Sequence, residues 1–345
     1  MTLHDEIFEQ PDCLSKLISD GHDTAMRIAE IIRAREIGYV FLAARGTSDN
    51  AGRYANYLWG AHNRLPMALA TPSLFTYYKA PPHLNGALVI GISQSGKSPD
   101  IVSVLEEGKR QGCLTLAITN DIRSPLARHA DLIFDIRAGE EKAIAATKTY
   151  TTQLAALAML SAALAGEDNL WQELEKVPAW IEDTLNKEEA IQRMAQRYRY
   201  MAQCVVIGRG FNYATAFEWA LKLKELTHVI AEPYSSADFQ HGPIAMVTGG
   251  FPILAVAARG KVFDSVSSML AKLRQQLDAE LVVITNDERM LELAQSPIPL
   301  PSGIPEWLTP LVAIAPAQLF SCALAGAKGY NADQPRRLHK ITLTR

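Results

Sequence analysis

Residues 93–98 read Ser-Gln-Ser-Gly-Lys-Ser and follow the apolar run Ala87–Ile92. Pro99 and an amphipathic stretch come next, so hydroxyls, an amide and backbone N–H groups collect where a strand hands over to a helix. That combination suits a phosphate or a polyol. A serine ahead of a helix often does no more than cap it. The chain's own second copy of this segment favours a ligand. It has Ala257-Ala258-Arg259-Gly260 at the same place, so the fold does not need the hydroxyls. Two sharper motifs compete. Gly91 to Ser98 matches the G-x-x-x-x-G-K-[ST] pattern of nucleoside-triphosphate loops. Gly91 aligns with Ala255 inside a strand, however, which leaves too little loop to wrap a triphosphate. The esterase pattern G-x-S-x-G fails at its last position, Ser95.

A second group of reactive side chains lies further along. Glu218, Lys222 and Glu225 are four and three residues apart, which puts them on one face of a helix. Periodicity alone favours a solvated ion-pair stripe. The segment that follows, Ala231–Met246, shifts the weight towards function, because it is rich in Ser, Pro and acids and sets His241 before a Gly-Pro turn. A lone histidine is more often structural. None of the eight histidines forms an HxxxH or HExxH pair, so no metal site and no cofactor are expected. After Tyr330 the chain reads NADQPRRLHKITLTR. A frayed basic tail is the plain reading, but the alternation of Ile341–Thr344 after Lys340 suggests an extended segment packed on something.

The elements that position these residues come as two copies of one unit. Gly38–Ala44 leads into Arg45-Gly46 and a helical pattern, and 164 residues later Ala202–Gly208 leads into Arg209-Gly210 and another. The same offset carries GALVIGISQSGK, from Gly86, onto GFPILAVAARGK, from Gly250. An offset of 166 carries LTLAITND, ending at Asp121, onto LVVITND, ending at Asp287. The apolar runs are continuous and alternate with amphipathic helices, as in a parallel sheet covered on both faces. Two doubly wound α/β domains are therefore expected over residues 21–166 and 192–330. A polar helical connector would fill 167–191, and a tail would cover 331–345. Ligands in such sheets bind beyond the carboxyl ends of the strands, which singles out the loops Arg45–Asn50, Ser93–Ser98 and Thr119–Ser124.

Composition sets outer limits. Lys plus Arg number 34 against 37 acids in 345 residues, a net charge of −3, which argues against a nucleic-acid partner. No apolar run reaches the roughly 18 residues of a membrane span, and the acidic, polar N-terminus is unlike a secretory signal. Four scattered cysteines form no CxxC and read as reduced thiols. A cytoplasmic protein is expected.

The motifs together resemble the double sugar-isomerase (SIS) domain phosphosugar family, including the isomerase half of glucosamine-6-phosphate synthase. They are RGTSDNAG (Arg45–Gly52), ISQSGKSPD (Ile92–Asp100), ATKTYTTQL (Ala146–Leu154), ALKLKELTHVIAE (Ala220–Glu232), DFQHGPIAM (Asp238–Met246) and DQPRRLHKITLT (Asp333–Thr344). The resemblance covers practically the whole chain. It implies a flavodoxin-like fold for each unit and a homodimer whose active sites borrow residues from the neighbour. Carried over by position, it implies a phosphosugar pocket at Thr47, Ser48, Ser93, Gln94, Ser95 and Ser98, continued by Thr147. It implies that Glu225 is the enolising base with Lys222 one turn earlier. His241, donated across the dimer, would open the sugar ring, and Lys340 would form a Schiff base with a ketose phosphate. The residue types suit these tasks. An imidazole titrates in the range needed for ring opening, a carboxylate over C1 and C2 can relay a proton between them, and an amine can activate a carbonyl as an imine.

Departures from the synthase pattern point to a subtype. The chain starts Met-Thr and its first unit begins near residue 21, so no glutamine-cleaving domain with an N-terminal cysteine fits. In Ala138–Tyr150, Ala146 replaces a serine, and Glu140, Glu141 and Lys142 resemble stand-alone deaminase-type members. The expected activity is conversion of an aminosugar 6-phosphate, such as glucosamine 6-phosphate, to a ketose 6-phosphate and ammonia. A deglycase of fructosamine-type 6-phosphates such as fructoselysine 6-phosphate uses the same enolisation and is the alternative. A non-catalytic phosphosugar sensor is a third reading, weakened by the retained Glu225, His241 and Lys340.

Overall fold

The computed structural model describes residues 2–340. Two helices come first, α1 (Leu3–Phe8) and α2 (Gln10–Arg33). The first repeat then runs β1 (Tyr39–Ala43), α3 (Thr47–Asn63), β2 (Met67–Leu69), α4 (Ser73–Thr76), β3 (Ala87–Ile92), α5 (Pro99–Arg110), β4 (Leu114–Thr119), α6 (Pro125–His129), β5 (Leu132–Asp135) and α7 (Lys148–Ala165). The span expected as a connector carries α8 (Asp168–Leu174), α9 (Val177–Leu185) and the start of α10 (Glu188–Arg197). The second repeat follows: β6 (Gln203–Gly208), α11 (Tyr213–Thr227), β7 (Ile230–Ser235), α12 (Ser236–Gln240), β8 (Pro252–Val256), α13 (Phe263–Leu277), β9 (Glu280–Thr285), α14 (Glu288–Leu293), β10 (Ser296–Pro299) and α15 (Thr309–Ala327).

Each repeat builds one five-stranded, all-parallel sheet, ordered β2-β1-β3-β4-β5 in the first and β10-β9-β8-β6-β7 in the second. With repeat counterparts matched, the two orders are the same, and they are the flavodoxin-like order. Every residue of β3, β4 and β8 is buried, as continuous apolar runs between two helical layers require. At about 1.5–3 kcal/mol for each buried Val, Leu or Ile, these strands are the main stabilising element of each repeat.

The duplication also shows in the backbone. Positive φ angles recur at the repeat offsets: Gly46 with Gly210, Arg64 with His228, Gly86 with Gly250, and Gly112 with Asp278. Arg64 and His228 both end their helix, α3 and α11, in the left-handed conformation. The same turns are therefore built at matching positions, by glycine in both copies at two of them and by different residues at the other two.

Two compact units result. One contains Asp12–Glu141, Lys148–Lys176 and residues 339–340, and holds the first sheet; the other contains residues 2–11, Lys142–Thr147 and Val177–Leu338, and holds the second. The stretch Glu306–Ala327 is long and apolar enough to cross a membrane, but 89% of its most apolar window is buried in the protein. Packing against α9, α10 and α11 makes it a core helix. Ile341–Thr344, expected to be extended, lie outside the described residues.

Candidate active site

In the first-repeat unit, strand order reverses at β1 and β3. The loops that leave their carboxyl ends are Ala44–Gly46 and Ser93–Ser98, the place where an α/β sheet takes ligands. Gly46 (φ 53°) swings the first loop into α3, so that Thr47 and the buried Ser48 occupy its first turn. The second loop is folded by its own hydroxyls. Ser93 Oγ accepts from Gly96 N at 3.1 Å and Ser95 Oγ accepts from Lys97 N at 3.3 Å. Two amides expected to serve a ligand are thus used internally. A hydroxyl that accepts still has its O–H to donate. Gln94 is half-buried beside them, and its carbonyl accepts from Asn120 N at 3.2 Å.

Gly96 is required where it stands. Its φ is +60°, and a Cβ there would lie 2.1 Å from Ser124 Oγ. Ser98 is the N-cap residue of α5 with Pro99 in the first turn, yet its side chain makes no capping hydrogen bond. The capping explanation for Ser98 therefore fails, and its hydroxyl is available to a ligand at the helix N-terminus. Gly91 lies within β3, and a Cβ on it would meet Leu105 and Leu126 at 2.6 and 2.9 Å. That glycine serves strand–helix packing, which disposes of the triphosphate-loop pattern.

The corresponding loop of the second repeat is already occupied. Glu306 Oε2 accepts from Lys261 N at 2.8 Å, and Oε1 from Val262 N at 3.4 Å. A Cβ on Gly260 would fall 2.2 Å from the Glu306 carboxyl carbon, so the glycine is what lets the carboxylate in. The second repeat thus answers its loop amides with its own chain.

The second repeat contributes the carboxylate stripe instead. Lys222 Nζ lies 2.6 Å from Glu225 Oε2 and 3.3 Å from Glu218 Oε1. Glu218 and Lys222 are fully buried, while the Glu225 side chain retains 22% exposure. The stripe is not solvated. Burial pulls the Lys222 ammonium towards a lower pKa, and the two carboxylates more than reverse this, so that it is raised. Lys222 holds Glu225 by charge and leaves the carboxylate's outer edge open. One repeat earlier the same positions are Tyr54, Leu58 and Ala61, so the helix does not need the charges. His241 ends α12 in the same unit, its N–H bonded to Asp238 O at 3.0 Å and its residue exposed. Thr147, expected beside the serines, is buried and groups with this second unit, where Gln318 Nε2 approaches its carbonyl at 3.5 Å.

Lys340 returns to the first-repeat unit. Its Nζ lies 2.7 Å from Glu141 Oε2, and Glu141 is fixed by Thr149, whose N and Oγ1 donate to it at 3.1 and 2.8 Å. The residues expected at the site are therefore organised as two groups. The serine loops and Lys340 belong to one unit, and Lys222, Glu225, His241 and Thr147 to the other.

The family model for the SIS domain matches residues 34–163 and 201–327, one match per sheet. The chain belongs to the SIS-domain family. Among the relatives of this SIS protein, the glutamine–fructose-6-phosphate aminotransferase (isomerizing) of Aquifex aeolicus is 33% identical over 337 residues, 97% of this chain and 56% of the relative. The chain thus spans little more than half the length of the curated relatives it matches. The C-terminal domain of glucosamine-fructose-6-phosphate aminotransferase from Francisella tularensis superposes with a TM-score of 0.87 at 30% identity, covering 96% of this chain and 98% of that one. Glucosamine-6-phosphate deaminase from Thermotoga maritima shares the fold at 20% identity, with a TM-score of 0.79 and full coverage of both chains.

Three residues that fix these loops were given no role by the sequence. Arg45 Nε bonds the buried Asp100 Oδ2 at 2.8 Å and so ties the loop after β1 to the first turn of α5. The signal was the repeated Arg-Gly: Arg209 makes the equivalent tie to Ser265, at 2.6 Å, in the first turn of α13. Glu6, fully buried, accepts from Lys142 N and Ala143 N and pins the segment that leads to Thr147. Glu141 stood out only as part of a subtype motif.

Proposed function

We propose that this protein is a phosphosugar aldose–ketose isomerase that converts an aminosugar 6-phosphate, such as glucosamine 6-phosphate, to a ketose 6-phosphate and ammonia. The observation that carries the reading is the asymmetry of the two copies. A hydroxyl-lined anion loop is present only in the first repeat, and a buried carboxylate–lysine–carboxylate stripe only in the second. In this reading Thr47, Ser48, Ser93, Gln94, Ser95, Ser98 and Thr147 hold the sugar phosphate. His241 moves a proton between the ring oxygen and the anomeric hydroxyl; exposed at the end of α12, it is the group a second copy in a homodimer would share. Glu225 takes the proton from one of C1 and C2 and returns it to the other, with Lys222 setting the carboxylate's position. The proton transfer leaves the sugar nitrogen as a C2 ketimine; the Lys340 amine adds to C2 and displaces ammonia, and water then hydrolyses the lysine imine to the ketose and the free amine. No step calls for a metal or an organic cofactor. The loop Ala138–Tyr150, with Ala146 and the Glu140-Glu141-Lys142 run, supports deamination as the direction, and the chemistry suits a cytoplasmic enzyme.

The purified chain should release ammonia and ketose 6-phosphate from glucosamine or galactosamine 6-phosphate, read by a coupled assay. Folded Glu225→Gln protein should release none. Release of lysine from fructoselysine 6-phosphate, with no ammonia from the aminosugars, would replace this reading with deglycation. Binding without turnover of any sugar phosphate would make the protein a sensor.

A further inference from the structure

The contact between Glu141 and Lys340 differs from the surface ion pairs of the molecule. The Glu141 side chain is 0% exposed, and Lys340 retains 26%. The carboxylate is therefore fixed and the amine is the adjustable partner. What fixes it is the first turn of α7: Thr149 supplies both a backbone N–H and a hydroxyl to Glu141. An anion at a helix N-terminus is stabilised by the helix dipole, and its burial is tolerable because donors meet it on several sides. With those two bonds made, Glu141 still presents Oε2 to the Lys340 ammonium at 2.7 Å. The pair spans 199 residues of sequence and ties Lys340 to the start of α7. An exposed lysine on an irregular segment would otherwise sample many rotamers, at up to about 1.5–2 kcal/mol of side-chain entropy.

We propose that Glu141 is the positioning residue for Lys340, holding its amine at the site and remaining its counter-ion when the ammonium becomes an iminium. The inference rests on the reading of Lys340 as the Schiff-base amine. The step balances without any other reactant. The lysine ammonium and the ketose carbonyl give the protonated imine and one water, the carbonyl oxygen leaving with two of the three ammonium protons. One positive charge is present on the nitrogen before and after. The fixed Glu141 carboxylate beside that nitrogen therefore serves both states, and its charge does not have to be rebuilt during the reaction.

The test is reductive trapping of fructose 6-phosphate on the full chain with cyanoborohydride, followed by peptide mapping. Wild-type protein should carry the adduct on Lys340. Glu141→Gln should trap at least tenfold less, with its fructose 6-phosphate dissociation constant within twofold of wild type and kcat, not KM, carrying the loss. Glu141→Asp should recover a substantial part of the trapping. Trapping by Glu141→Gln at the wild-type level would overturn the role of Glu141 and leave that of Lys340 standing. No adduct on Lys340 in wild-type protein would overturn both. Loss of trapping together with sugar-phosphate binding, and no recovery with Asp, would reduce Glu141 to a structural contact.

Discussion

Lys222 shows how a single side chain can be both a structural liability and a positioning device. Enclosing an ammonium costs several kcal/mol, and carboxylates at 2.6 and 3.3 Å offset that cost. Replacing it removes the compensation for two acids at once. Lys222→Met is expected to lower unfolding stability by about 3–5 kcal/mol in denaturant titrations, chiefly through the fully buried Glu218. The pH dependence follows from the raised folded-state pKa. The ion pair's contribution is whole below the ordinary lysine value of 10.5 and is lost as pH climbs from there towards the higher folded value. Wild-type protein should therefore lose stability more steeply than Lys222→Met above about pH 10.5. Equal slopes would mean that the lysine titrates as if exposed. At this scale the sequence was partly legible. The spacing put Glu218, Lys222 and Glu225 on one face, but 3.6-residue periodicity cannot tell a buried charged face from a solvated one. Tyr54 and Leu58, at the positions of the first repeat that match Glu218 and Lys222, carry that information, because both turn inward.

Among the elements, the strand–loop–helix unit of β3 and α5 was the most legible, because a fully buried strand, a small-residue loop and Pro99 leave few alternatives. The internal economy of the loop was not legible. Ser93 and Ser95 spend acceptor capacity on Gly96 and Lys97, whereas Ser98 makes no cap. This separates two roles that look alike in sequence. Ser98→Ala should change stability by less than about 0.5 kcal/mol, as for a surface position without a cap to lose. It should weaken fructose 6-phosphate binding about tenfold, the effect of one lost hydrogen bond to a charged group. Calorimetric titration and thermal unfolding of the same sample measure both. A destabilised protein with unchanged affinity would return Ser98 to capping. The ties Arg45–Asp100 and Glu306–Lys261 were beyond sequence reasoning, since they join residues 55 and 45 positions apart and depend on which loops the sheet order brings together.

For the whole molecule, the two copies build equivalent strand–loop–helix units but fill the loops differently. Glu306 occupies the second loop from within, while the first keeps Ser93, Ser95 and Ser98 around its own. The contrast is reversed at three matched positions of the helix after the first strand, Tyr54, Leu58 and Ala61 in α3 against Glu218, Lys222 and Glu225 in α11. Repeat organisation and sheet class were readable because the offset of 164 is nearly constant, and the positive-φ turns follow it. The compact units, which exchange short segments near residues 11, 141 and 338, leave no such periodic trace. With phosphosugar binding proposed for the first copy and proton transfer for the second, the two functions should separate by mutation. The most direct measurement is solvent deuterium exchange at C1 of fructose 6-phosphate, followed by NMR in heavy water alongside a binding titration. Wild-type protein should exchange one of the two C1 hydrogens. Glu225→Gln should bind the sugar phosphate within about twofold of wild type and reduce exchange by at least 10²-fold, the lower end of general-base contributions. Exchange by Glu225→Gln at the wild-type rate would contradict the account.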